Sequence, residues 1–176
     1  MRLNRRLFDR VLHLIKMARN ARRFGVQFHR RASFRPPEQV IVNGRLIHLR
    51  FPMEEGMKWD FLAVFLEDAY GLASCSNPVR TILDIGGNVG FFSVAAKHYF
   101  PHALVHSYEP NPHAFEYAAT QSRQCNFKLF PEAVGGHGGQ VSLDFCASLD
   151  SNQCRTKEDA TGSVLKIALE SLKAGS

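Results

Sequence analysis

The stretch that most limits what this chain can become is Thr81–Val94, TILDIGGNVGFFSV, joined about twenty residues beyond its last glycine by Ser107-Tyr108-Glu109-Pro110. A short apolar run, Ile82-Leu83 with Ile85, is interrupted by Asp84 and ends in glycines, and helical patterning starts at once with Phe91-Phe92. The order predicts strand, tight turn, helix. Such a turn exposes backbone N–H groups at a helix N-terminus, and its missing side chains let a ligand lie against the backbone. A second apolar run, Leu104–Tyr108, delivers Glu109 at its C-terminal end. In a parallel sheet both strand ends open on one crevice, so Asp84 and Glu109 are expected to face one bound molecule, and that molecule carries a ribose.

The rest of the chain supplies elements of matching length. Gln39–Pro52, QVIVNGRLIHLRFP, places Val40-Ile41-Val42 and Leu46-Ile47-His48-Leu49 around Asn43-Gly44, the preferred pair for a type I′ turn, so 39–52 reads as a β-hairpin. Its His48 and Arg50 read as the polar face of a half-buried strand or as substrate contacts. Trp59, Phe61-Leu62 and Phe65-Leu66 predict a helix over Met57–Leu66, with Gly71 as its C-cap. After the glycine turn, Phe91–Phe100 is helical and stopped by Pro101, and Ala103–Tyr108 is a strand. Asn111-Pro112 carries an N-cap and first-turn signature for a further helix. Phe127–Phe130 is a third strand, ending at Pro131-Glu132-Ala133-Val134, and Gln140–Phe145 alternates as a strand should. Residues 147–162 are polar and unpatterned, and Ser163–Leu172 reads as strand, then a first helical turn. The fold class is therefore α/β: a Rossmann-like parallel sheet with helices on both faces.

Charge divides the chain. Eleven of its 22 Lys and Arg precede residue 36, against one acid, Asp9, whereas the remainder holds 11 bases and 15 acids. The net charge of +6 thus belongs to the N-terminal 35 residues and says nothing of the domain at 36–176. Residues 2–24 set Leu3, Leu7, Val11, Ile15 and Ala18 at helical spacing, with Leu14 alongside and arginines on the other face. Three readings of this basic amphipathic helix stay open: packing on its own domain, peripheral contact with an anionic membrane, or targeting. Nucleic acid is not expected, because no aromatic residues interleave the cations as a stacking platform. Cys75, Cys125, Cys146 and Cys154 form no CxxC pair, which suits reduced thiols in a cytoplasmic protein and offers no metal site. No apolar run reaches the roughly 18 residues of a membrane span.

The central pattern is Asp84-x-Gly86-x-Asn88-x-Gly90, with Gly87 between, and not GxGxxG. A dinucleotide sets its pyrophosphate against bare N–H groups, where a neighbouring carboxylate repels it. S-adenosylmethionine has no phosphate; its ammonium and sulfonium favour such a carboxylate. Glu109, accepting from ribose hydroxyls, suits either cofactor, so the combination favours the methyl donor.

The run from the Asn43-Gly44 hairpin through FLEDAYGL (Phe65, Glu67 and Tyr70 among them), ILDIGGNVGFFS, YEPNP and EAVGG resembles the FkbM-type S-adenosylmethionine-dependent methyltransferases over roughly residues 39 to 172. The resemblance implies a class I methyltransferase fold and methyl transfer to a hydroxyl of a sugar or other secondary metabolite. It implies that Asp84, Gly86, Asn88 and Gly90 surround the methionine moiety, that Glu109 holds the ribose with Pro110 and Asn111 shaping that pocket, and that Glu132-Ala133 lie near the adenine edge. Similar proteins continue with an LKIDVEG-like strand. Here Leu165-Lys166-Ile167-Ala168-Leu169-Glu170 has Ala168 where that Asp would stand, which marks it as the preceding strand of a shortened fold.

Catalysis by in-line displacement needs positioning and a base near the acceptor. His98, His102, His106, His113, His137, Asp144 and Asp150 are available types, and the sequence selects none of them. Two readings remain beside a nicotinamide-binding domain: an O-methyltransferase acting on a small-molecule or glycan acceptor, or a truncated, non-catalytic module that keeps the nucleoside crevice.

Overall fold

The computed structural model describes residues 2–144, 155–158 and 164–168. Helix α1 (Arg2–Arg23) leads into a two-stranded antiparallel hairpin, β1 (Gln39–Val42) and β2 (Arg45–His48), turned at Asn43 and Gly44, both at positive φ. Helix α2 (Glu55–Phe61) runs on as a π-helical turn over Leu62–Leu66, and a short 3₁₀ helix follows at Leu72–Ser74. Gly71 begins that 3₁₀ helix at φ 68°, so it does not cap the longer helix as the sequence suggested. Glu67 ends the longer helix, and Asp68 caps the start of the 3₁₀ helix, its carboxylate accepting from Leu72 N at 2.7 Å and Ala73 N at 3.2 Å.

The centre is β3 (Thr81–Ile85), α3 (Phe91–Tyr99), β4 (Leu104–Tyr108), α4 (Pro112–Cys125) and β5 (Lys128–Phe130). The strands form a parallel sheet in the order β3-β4-β5, with Asp84 opposite Ser107 and Ile85 opposite Tyr108. This is the first half of a doubly wound, Rossmann-like sheet. Among the described residues the expectation of helices on both faces is not met, for a topological reason. Two crossovers that step the same way across a sheet set both helices on one face, and the second face is covered where the order reverses. Accordingly Val105, Ser107 and Asp84 are buried beneath α3, while Leu83, Ile85 and Leu104 on the opposite face are exposed. Among the described residues nothing pairs with the outer edge of β3.

A second sheet, ordered β6-β9-β7-β8, contains β6 (Glu132–Gly135), β7 (Gly139–Asp144), β8 (Arg155–Glu158) and β9 (Val164–Ala168). Thus Glu132–Gly135 is a strand rather than the end of one, and β8 falls where the sequence showed no pattern. Strand β9 pairs parallel with β6 and antiparallel with β7. The first helical turn read beyond it lies outside the described residues, as do Cys146, Asp150 and Cys154.

The core is an aromatic cluster under α3. Phe24, Phe61, Phe65 and Phe91 are buried and meet mostly edge to face, with centroids 4.6 to 5.7 Å apart. Such pairs add about 0.5–1.5 kcal/mol each beyond area burial. Helix α1 joins this core through Met17 and Ala21, and its buried Asn20 donates to Leu66 O at 2.9 Å, a carbonyl in the π-turn. Gln121 and Gln124 of α4 hold the hairpin: Gln124 exchanges two bonds with the backbone of His48, and buried Gln121 donates to Arg50 O and Val89 O at 2.6 and 2.8 Å. His48 and Arg50 are thereby fixed as framework, with Arg50 lying over the Tyr117 ring.

Candidate nucleoside crevice

The glycine turn is built from its own backbone. Gly86 N and Gly87 N both donate to Tyr108 O, at 2.9 and 3.0 Å, and Gly90 N donates to Gly87 O. Asn88 N donates to Glu109 Oε2 at 2.7 Å. The turn that the sequence suggested would offer bare N–H groups therefore has those of residues 86, 87, 88 and 90 already engaged. For residues 86, 87 and 88 strand β4 does this, because its last carbonyl and the carboxylate beyond it reach across to the end of β3.

The three glycines of the motif have different reasons to be glycine. Gly86 has φ 78° and open space where a Cβ would stand, so a ligand can approach its backbone. A Cβ on Gly87 would run into Ser107 Oγ. A Cβ on Gly90, at φ 86°, would meet Phe127 Cζ at 3.3 Å and Ala118 at 3.5 Å. Gly86 thus faces the crevice, while Gly87 and Gly90 let the turn settle onto the sheet and α4.

Asp84 and Glu109 both stand at the C-terminal ends of their strands, and they do different work. Asp84 Oδ2 accepts from Ser93 Oγ at 2.6 Å and Ser107 Oγ at 3.0 Å, in the buried layer between sheet and α3. Burial raises its pKa above the ordinary value, against the pull of the two hydroxyls. Glu109 is also buried and its pKa is raised by desolvation, countered by the N–H bonds from Asn111 and Asn88, with Asp84's charge adding a smaller upward push. Its Oε1 accepts from Asn111 N at 2.7 Å. A carboxylate offers about four acceptor sites, so two remain for a diol.

Asn111 caps α4 as its sequence signature required, its side chain accepting from His113 N at 2.9 Å, with Pro112 at the first helical position. Pro110 joins this cap to Glu109. Buried Ala133 and half-buried Glu132 follow β5; burial raises the Tyr108 pKa, and the charge of Glu132 raises it further. Among the imidazoles, His98 packs against Phe24, and His106 lies on the uncovered sheet face beside Phe130. Among the described residues no cluster of His, Cys, Asp and Glu has the make-up of a metal site, and no helix is long and apolar enough to cross a membrane. Cys75 and Cys125 are free, and burial pushes the Cys125 thiol up to about 11.

No family model and no curated protein matches the chain. Solved structures similar to it include a Pyrococcus horikoshii protein assigned as a transferase, at 14% identity and TM-score 0.37, with 54% of this chain matched to 36% of that one. M. jannaschii TYW2 in complex with AdoMet is similar at 18% identity and TM-score 0.35, covering 56% and 46% of the two chains. The SAM-dependent methyltransferase from Agrobacterium tumefaciens is similar at 13% identity and TM-score 0.35, covering 58% and 34%. The match spans less than half the length of each of these proteins. Likeness of this extent leaves the reading of the crevice to its residues.

Two contributors were missed in the sequence. Asp60, from α2, receives a bond from Asn88 Nδ2 at 3.3 Å and so brings a third carboxylate to the turn. Nothing in its helical run marked it. Ser93 did leave a sign, being the polar member of the apolar run FFSVAA. A hydroxyl in such a run needs a partner, and Asp84 is that partner.

Proposed function

We propose that the crevice at the ends of β3 and β4 binds S-adenosylmethionine, and that the chain is a methyltransferase domain acting on a hydroxyl of a sugar or other small metabolite in the cytoplasm. The observation that carries this reading is the state of the glycine turn. Its N–H groups at 86, 87, 88 and 90 already have acceptors, so a pyrophosphate would find no cradle there. The crevice instead offers acceptors and an open backbone. Those features fit a ligand with a ribose diol and cationic groups but no phosphate. Glu109 holds the ribose, with Pro110 and Asn111 closing that end, and Glu132 and Ala133 border the adenine. Gly86 gives the methionine moiety room, Asn88 and Gly90 set the turn's shape, Asp84 supports it from beneath, and Asp60 supplies a carboxylate for the ammonium. The bound cofactor supplies a methyl group on a sulfonium, and the chain's part is to bind and orient it. The face of Leu83, Ile85 and Leu104, exposed among the described residues, favours a second reading, a module that binds the nucleoside without turnover.

Calorimetric titration of the full chain with S-adenosylhomocysteine and with NAD tests the cofactor. S-adenosylhomocysteine should bind and NAD should not. Glu109→Gln, which keeps the side chain's volume, should weaken binding by about 1–3 kcal/mol through loss of charge-assisted bonds. Equal affinity for NAD, or no change in Glu109→Gln, refutes the assignment. Labelled methyl transfer to a panel of glycans then separates the two readings: binding with no turnover removes the enzyme.

A further inference from the structure

We infer that α1 is a membrane-surface helix that seats the protein on anionic lipid. The helix has two separate faces. Its C-terminal turns dock on the domain through Met17, Asn20 and Ala21. The apolar stripe farther along, Leu7, Phe8, Val11, Leu12, Leu14 and Ile15, does not continue that face. At 100° per residue its centre lies about 140° around the helix from the docked face. All six side chains are 46 to 62% exposed. Packing on its own domain, one of the sequence-level readings, therefore holds for the last turns of α1 and fails for the stripe.

The charges around the stripe say what covers it. Arg10 lies along one border, and Arg19 and Arg22 cross its C-terminal end. All three are exposed, and none forms an ion pair with a described residue. Asp9, the one acid of the helix, lies on the far side. An apolar strip rimmed by free guanidinium groups is the arrangement by which a helix lies in a bilayer interface, with its side chains among acyl chains and its cations at lipid phosphates. A second copy is the weaker occupant, because burying stripe against stripe would bring the two arginine rims together with little acid to offset them. The docked face keeps the domain on the side of the helix away from the lipid.

The test is sedimentation of the full chain with phosphatidylcholine vesicles containing about 30% phosphatidylglycerol, and with pure phosphatidylcholine, at low and high salt. Binding is expected to the anionic vesicles at low salt and to fall at least tenfold on neutral vesicles. The double variant Val11→Asp with Ile15→Asp should abolish binding without moving the thermal midpoint, since both residues are exposed. Arg10→Gln and Arg19→Gln should each weaken binding about fivefold. Absence of binding to anionic vesicles, or unchanged binding by the Asp variant, overturns the proposal. So does a dimer in lipid-free solution that the same variant dissociates.

Discussion

At the residue scale, neighbouring glycines and carboxylates that look equivalent in the sequence are held for opposite reasons. Gly86→Ala places a Cβ in open space at φ 78°, a strain of about 1–2 kcal/mol that no neighbour can relieve, and it fills the ligand side of the turn. Gly87→Ala drives a Cβ onto Ser107 Oγ and should cost about 1–3 kcal/mol. Denaturation midpoints should therefore recover when Ser107→Ala is added to Gly87→Ala, and should not when it is added to Gly86→Ala. Loss of S-adenosylhomocysteine affinity should follow Gly86→Ala alone. The carboxylates allow a pH test. Burial lifts Asp84's folded pKa above the ordinary aspartate value of 3.8, so the folded state holds its proton more tightly than the unfolded chain does. Its contribution to stability is fully present below that value and is lost as pH rises through the folded pKa. Asp84→Asn keeps the shape, leaves the two hydroxyls a partner, and removes this loss. Its thermal midpoint relative to wild type should climb as pH goes from about 4 to 7. A difference that stays flat or declines over that range would contradict the burial assigned to Asp84.

At the scale of elements, the legible parts were those whose cause is local. The Asn43-Gly44 turn, the Asn111-Pro112 helix start and the strand ending at Ile85 each depend on residues within a few positions of one another, and each stands where the sequence put it. What was not legible depends on partners distant in the chain. The π-turn over Leu62–Leu66 looks in sequence like an ordinary apolar helix. Its widened backbone frees carbonyls, and Asn20, 46 residues away, meets one of them. Gln121 and Gln124, which no sequence pattern singles out, are the clasps that bind α4 to the hairpin. The same limit applies to the crevice. The glycine spacing announced a turn, but whether its N–H groups stay free was decided by Tyr108 and Glu109 on another strand. Asp60 reached the turn through a bond that no spacing rule encodes.

For the whole molecule, the direction of the crossovers has the widest consequence. Because β3, β4 and β5 are laid down in one direction, α3 and α4 share a face, and the other face presents Leu83, Ile85 and Leu104 at 40, 52 and 59% exposure. Strand β3 is also an edge among the described residues, with its outer hydrogen-bonding groups unpaired by another strand. An apolar face beside an open edge invites pairing with another chain, and lysine is a common natural device against it. The double variant Leu83→Lys with Leu104→Lys places two charges on that face, opposite the one on which Asp84 meets α3. It should raise the concentration at which light scattering detects association, leave the thermal midpoint within about 1 kcal/mol equivalent of wild type, and leave S-adenosylhomocysteine affinity unchanged. A collapse of the fold in this variant would show that the face is buried after all. Unchanged association would move the cause to the other exposed apolar surface, the stripe on α1, which Val11→Asp with Ile15→Asp removes without altering the sheet.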